Sequence, residues 1–212
     1  PNLSERLTAG AGLVYLRASQ PFYLAVRLAE SLMDEAKRLA KKHDPDRPPS
    51  SLVFHRVTAA LIDDYAAIVD REKTTRDGEA TYVQTMGAYF LDRIDGLPAL
   101  EDLLALQALL QGEGMARGPT RQLLTLMGLS PTQARMHYRR WRQQMRKNKS
   151  SQLERFDKLL KMLAPEFDGI KGDLPFGGQG NLWLSPLGDV VPLMAAKNAL
   201  PDNGTKAKED AA

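Results

Sequence analysis

The hydrophobic pattern changes period several times along the chain. Leu13, Val14, Tyr15 and Leu16 form a short continuous apolar run, entered through Gly10 and Gly12. Such a run predicts a strand over Leu7–Ala18 that is buried on both faces. From Phe22 the period lengthens. Phe22, Ala25, Leu28, Ala29, Leu32, Met33, Ala36, Leu39 and Ala40 recur at the three-and-four spacing of one helical face. Pro21 suits the first helical position, where its missing N–H costs nothing, and the helix is expected to run to about Lys42. The acids Glu30, Asp34 and Glu35 precede the bases Lys37, Arg38, Lys41 and Lys42. That order favours the helix dipole and predicts an Asp34–Arg38 pair. HDPDRPPS, residues 43–50, reads as a loop. Ser51–Val57 alternates as a second strand. The opening unit is therefore strand, helix, strand, with a crossover too long for a hairpin.

The remainder reads as mainly helical. Ala59–Arg71 predicts a helix and Glu72–Ala80 a polar linker, while Tyr82–Leu91 fits strand and loop equally. Leu97–Leu110 predicts a Leu-rich helix, broken by Gly112–Gly118. Pro119–Met127 and Thr132–Lys147 predict two helices joined by a tight turn, with Gly128 as stop, Ser130 as N-cap and Pro131 as first helical residue. Gln152–Leu163 is a further amphipathic helix. Asp168–Leu184 reads as a Gly-rich loop around Trp183. Ser185 caps a last helix that Pro192 should kink. Pro201–Ala212 reads as a disordered polar tail. The expected fold class is α+β. A half-palm of strand, helix and strand (1–75) precedes a mostly helical domain (76–200) and a tail (201–212).

Composition narrows the chemistry. The 212 residues carry a formal net charge of only +3, so any attraction to nucleic acid must come from local clustering. There is no cysteine, which excludes disulfides, thiolate catalysis and Cys-ligated zinc. His43, His55 and His137 lie far apart without metal-ligand spacing. No apolar run reaches the ~18 residues of a membrane span, and a cytoplasmic protein without membrane contact is expected. Asp63 and Asp64 are adjacent, so on a helix their carboxylates point ~100° apart and read as solvated. The chain enters a strand within a few residues of Pro1, which suggests a cut from a longer polypeptide or a processed start.

The order of these pieces carries a resemblance. LTAGAGLVYL, then Pro21-Phe22, a helix closing in Glu35-Ala36-Lys37, and the strand SSLVF resemble the palm of the large subunit of type III CRISPR effector complexes. That family is a relative of the GGDEF diguanylate cyclases. The Leu-rich helix after Tyr89 and Leu91, the helical Met127–Trp141 region, and Trp183 leading into Ser185-Pro186-Leu187-Gly188-Asp189 fit the same family. The resemblance covers roughly residues 5–199. It implies a partial ferredoxin-like palm, antiviral defence, other effector subunits as partners, and guide or target RNA. In the family an upstream Gly-Gly-Asp-Asp hairpin binds the metal that bridges triphosphate oxygens. This chain lacks that motif. ATP with Mg or Mn is thus expected only of the full-length protein, with no cofactor in this chain and no catalytic residue here.

Two groups of residues are candidate sites. The resemblance places Lys37, and Lys41 four positions on, against a nucleotide triphosphate; the plainer reading is two dipole-favouring surface lysines. Gly10 stands where the family often carries serine. The second group is Arg135, Arg139, Arg140, Arg142, Arg146 and Lys147, interleaved with Tyr138 and Trp141. Bases among aromatics suit RNA or single-stranded DNA through phosphate pairing and stacking. The competing reading is a solvated helix whose aromatics are core. Beside the leading reading stand two others: a helix-turn-helix-like regulator, and an inactive scaffold palm.

Overall fold

Gly10–Tyr15 (β1) and Ser51–Arg56 (β2) pair in parallel, from Gly10 opposite Ser51 to Tyr15 opposite Arg56. Phe22–His43 (α1) is the crossover between them. These coordinates come from a computed structural model that describes residues 7–57, 64–112, 117–164, 167 and 174–199. Tyr89–Phe90 (β5) adds antiparallel to the far side of β2. The predicted strand–helix–strand unit is thus present, and the fold class is α+β.

The period of two in β2 separates two cores. Val53 packs with Leu28, Leu32, Ala36 and Ala40 of α1, and Ser51 Oγ donates to the Ala36 carbonyl at 3.0 Å. Phe54, one residue on, joins the opposite core and stacks on Tyr89 with ring centroids 5.9 Å apart. Two glycines let α1 lie close on β1. A Cβ at Gly12 would fall 2.1 Å from the Ala29 carbonyl oxygen and 2.7 Å from the Met33 nitrogen. At Gly10 the tight contact would be with the Lys37 side chain, 2.6 Å from Cγ, with the Lys37 backbone no closer than 3.4 Å.

Several local expectations change. Pro21 sits one residue earlier, at the N-cap. Arg38 pairs with Glu35 rather than Asp34, its Nε and Nη2 reaching both carboxylate oxygens at 2.6 and 2.7 Å. The i, i+3 spacing lets the guanidinium fork engage in bidentate fashion. Asp64 is not within a helix. It caps Tyr65–Ile68 (α2), accepting from the Ala67 N–H at 2.9 Å. Residues 58–63, including Asp63, lie outside the described set. A π-helical turn at Val69–Lys73 continues α2.

The polar linker 72–80 contains a strand. Thr74–Asp77 (β3) and Ala80–Val83 (β4) form a hairpin whose two-residue loop begins at Gly78, φ +60°. Positive φ at the first loop position is what a type II′ turn requires. The Trp183 segment repeats the device. Gly177–Gln179 (β6) turns through Gly180, φ +61°, into Leu182–Leu184 (β7), which pairs in parallel with β4. This second sheet has the order β3-β4-β7-β6. The Gly-rich loop is therefore partly strand, and its residues 168–173, like the tail, lie outside the described set.

The helices are Leu100–Gln111 (α3), Arg117–Leu129 (α4), Pro131–Asn148 (α5), Ser150–Leu163 (α6) and Leu187–Ala199 (α7). Gly128 does not end α4, which runs on to Leu129. Ser130 alone separates α4 from α5 and caps α5, accepting from the Gln133 N–H at 3.4 Å. Pro192 lies inside α7. Leu103, Leu106, Met127, Tyr138, Phe156, Leu160 and Leu187 fill the larger core, which also takes in Phe54 and Tyr89 of the first sheet.

Candidate functional site

The densest polar cluster forms where α7 meets the two sheets. Gly188 makes this possible. A Cβ there would fall 2.0 Å from the Gln84 carbonyl oxygen, so only glycine lets the start of α7 lie against the strand end after β4. Ser185 steers the same helix start, accepting from the Leu187 N–H at 3.4 Å. The next side chain, Asp189, is then driven inward and is 2% exposed.

Its carboxylate is fully bonded. Lys73 Nζ donates to Oδ1 at 2.7 Å. Thr85 Oγ1, Tyr89 OH and the Met86 N–H donate to Oδ2 at 2.8, 2.7 and 3.2 Å. Thr85 spends its one hydroxyl proton on Asp189, so it accepts from the Gly87 N–H at 3.0 Å and faces Tyr65 OH at 3.5 Å. Burial, the largest single influence, acts to lower the Lys73 pKa, but Asp189, Tyr65 and Glu72 together outweigh it and hold the ammonium above its usual range. Burial, reinforced by Asp189, pushes the Tyr89 phenol well up. The cluster is therefore a charged pair wrapped in neutral donors, with no group poised as a nucleophile or base.

Beside it lies a cavity of about 180 Å³, lined by His55, Arg56, Glu72, Lys73, Gln84 and Asp189 among others. His55 and Gln84 are 7% and 9% exposed. Burial, then the Lys73 charge, lowers the His55 pKa to about 4, so its imidazole is neutral at pH 7.

Lys37 and Lys41 both lie exposed on α1, and Lys37 runs past Gly10 at the start of β1. A side chain at position 10 would displace Lys37 from its present path, since its Cβ would fall 2.6 Å from Lys37 Cγ. A separate cleft of about 670 Å³ opens beside α1 between Asp34, Glu35, Arg38, Asp70 and Arg76; neither lysine lines it.

The six bases of α5 divide. Arg142 is buried, bidentate to Asp157 at 2.5 and 2.7 Å and bonded to Tyr138 OH at 3.1 Å. It is a packing residue, not a surface contact. Arg135 is also committed, donating to Asp77 Oδ2 at 3.0 Å and Tyr82 OH at 2.9 Å. Arg139, Arg140, Arg146 and Lys147 are exposed. The aromatics face inward. Tyr138 stacks on Trp141 at 5.6 Å, and Trp141 meets Phe156 edge-on at 5.2 Å. Stacking of bases on Tyr138 or Trp141 is thereby excluded.

Among the described residues no group of three or more His, Asp or Glu side chains is arranged to hold a metal ion. Among them, too, no helix is long and apolar enough to cross a membrane. A scan against protein-family models finds no match, and a search of curated proteins finds no significant one. Sequence reasoning missed the Asp189 cluster, although a signal existed. Asp189 is the lone acid in the apolar run PLGDVVPLM, and a buried acid there needs a cation elsewhere.

Proposed function

We propose that this chain is the C-terminal part of a type III CRISPR large-subunit-like protein acting in antiviral defence. Its half-palm binds a nucleotide or supports a neighbouring palm that forms cyclic oligoadenylate. Its helical region contacts other effector subunits or RNA. The observation that carries this reading is the seating of Lys37 in the parallel β1–α1–β2 unit. Late in α1, Ala36 is buried against β2 and Lys37 passes Gly10 into solvent, with Lys41 one turn further along the helix. Two ammonium groups on one face at a strand mouth suit triphosphate oxygens as point charges, without the fork that arginine would bring.

Residues for the metal-bridged step are not part of this reading. Asp64 caps a helix and Asp189 is saturated by four donors. Nucleotidyl transfer, with ATP and Mg or Mn, is assigned to the full-length protein. The test is calorimetric titration of ATP into the full-length protein and its Lys37→Ala variant. A loss of affinity of tenfold or more supports the reading; equal affinity removes Lys37 from the site and leaves the scaffold palm. The helix-turn-helix alternative gains little support, because Ser130 alone separates the helices where that motif uses a turn of three to four residues.

A further inference from the structure

Charge is segregated in this chain far more than its net value suggests. Residues 114–153 contain nine Lys and Arg and no Asp or Glu. The rest of the chain therefore holds the other twenty bases against all 26 acids, a net of −6. The basic stretch covers α4, α5 and the turn into α6. Within it Arg135 pairs with Asp77 and Arg142 with Asp157. The exposed bases of α5 lie in its second half.

At ~100° per residue, Arg140, Arg146 and Lys147 fall within an arc of about 120°. They span roughly 10 Å of helix axis at 1.5 Å per residue. Gln143 sits in the middle of that arc and Gln144 at its margin, both exposed. The face thus offers charged donors for phosphates and neutral amides for hydroxyls, with no aromatic ring to stack on a base. The first half of α5 presents Thr132, Gln133 and Met136 outward, without charge. A recognition helix reads bases from its N-terminal residues, so this helix is built for another mode.

We propose that the second half of α5 docks the phosphate backbone of an RNA duplex, independently of sequence. Single strands are normally held on stacking platforms, which are absent here because Tyr138 and Trp141 are buried. A-form RNA is instead recognised by shape, through phosphates and 2′-hydroxyls. Gln143 and Gln144 supply the amides for the hydroxyls. The inference deepens the RNA contact in the function proposed above and rests on that part alone; nucleotide binding at Lys37 stands or falls separately.

The test is fluorescence anisotropy of the 212-residue chain with a labelled 20-base-pair RNA duplex, across a range of KCl concentrations. The comparison arms are a second duplex of unrelated sequence, the matching DNA duplex, and a single-stranded RNA of the same length. The variant is Arg140→Gln/Arg146→Gln/Lys147→Gln, with thermal melting as a folding control. Both RNA duplexes are expected to bind alike, at least tenfold tighter than the single strand and several-fold tighter than DNA. The variant should melt like the parent, and the slope of log affinity against log salt should flatten by about two to three. An unchanged slope in a normally melting variant overturns the proposal. So does equal binding of single strand or DNA, or no duplex binding at low salt. A control variant, Thr132→Ala/Gln133→Ala, should leave affinity unchanged; a loss there would return the contact to the helix N-terminus and overturn the assignment. Full-length protein that fails to bind ATP but keeps duplex binding would refute the palm reading alone.

Discussion

Lys73 and Asp189 stand 116 residues apart in sequence, yet their side chains form a buried ion pair at 2.7 Å. One partner closes the π-helical turn before β3 and the other opens α7. The pair ties the first sheet, the second sheet and α7 together, and Thr85, Tyr89 and the Met86 N–H complete it.

Breaking that pair from one side should cost more than removing it whole. Asp189→Ala leaves a buried ammonium and three donors unsatisfied, and a loss of ~3–5 kcal/mol is expected in urea denaturation. Lys73→Met/Asp189→Leu removes both charges, and a double-mutant cycle should recover at least half of that loss. A double variant as unstable as the sum of its singles would show that the two residues do not act as a pair.

His55 predicts a dependence on acid. Its pKa falls from the ordinary 6.5 to about 4 in the folded protein. Between those values the unfolded chain binds the proton and the folded one does not. Stability therefore declines as pH drops below 6.5 and this contribution levels off below about 4. At ~1.4 kcal/mol per pH unit the full effect is at most about 3.5 kcal/mol. His55→Gln should flatten the stability curve over that window while leaving it unchanged above pH 7.

The two glycines of β1 should behave oppositely. Gly12→Ala drives a Cβ into the α1 backbone and is expected to cost ~2–3 kcal/mol. Gly10→Ala clashes with the movable Lys37 side chain and only touches its backbone, and should stay within ~1 kcal/mol. Thermal melts of the two variants, side by side, decide this. Similar losses would mean that α1 can lift from the strand.

Arg142 and Arg140 separate packing from surface. Arg142→Ala loses a bidentate pair and a Tyr138 contact and should cost ~1–3 kcal/mol. Arg140→Gln should change stability by less than ~0.5 kcal/mol. Equal melting temperatures for the two variants would contradict the burial of Arg142.

What the sequence disclosed follows from the range of the interactions. The β1–α1–β2 unit is written in local periodicity, so its strands and helix were legible to within a few residues. β3 was not, because TTRD is a half-exposed hairpin arm without apolar alternation; only Gly78 marked the turn. β7 takes its register from β4, about a hundred residues away, and nothing local announces that. The fate of Arg142 depended on Asp157 across the α5–α6 hairpin, whereas the inward turn of Tyr138 and Trp141 was visible in their spacing. Arg139 and Arg146 sit on the same helix as Arg142, and charge alone could not sort them.

The tight seat of Gly188 on Gln84 has a consequence for synthesis. α7 emerges from the ribosome about a hundred residues after the strands it completes, and until it does, Lys73, Thr85 and Tyr89 wait without their common acceptor. The nascent chain can form its first sheet early but cannot close its polar centre until translation has passed Asp189. A message cut short before that codon would yield an open chain rather than a smaller working protein.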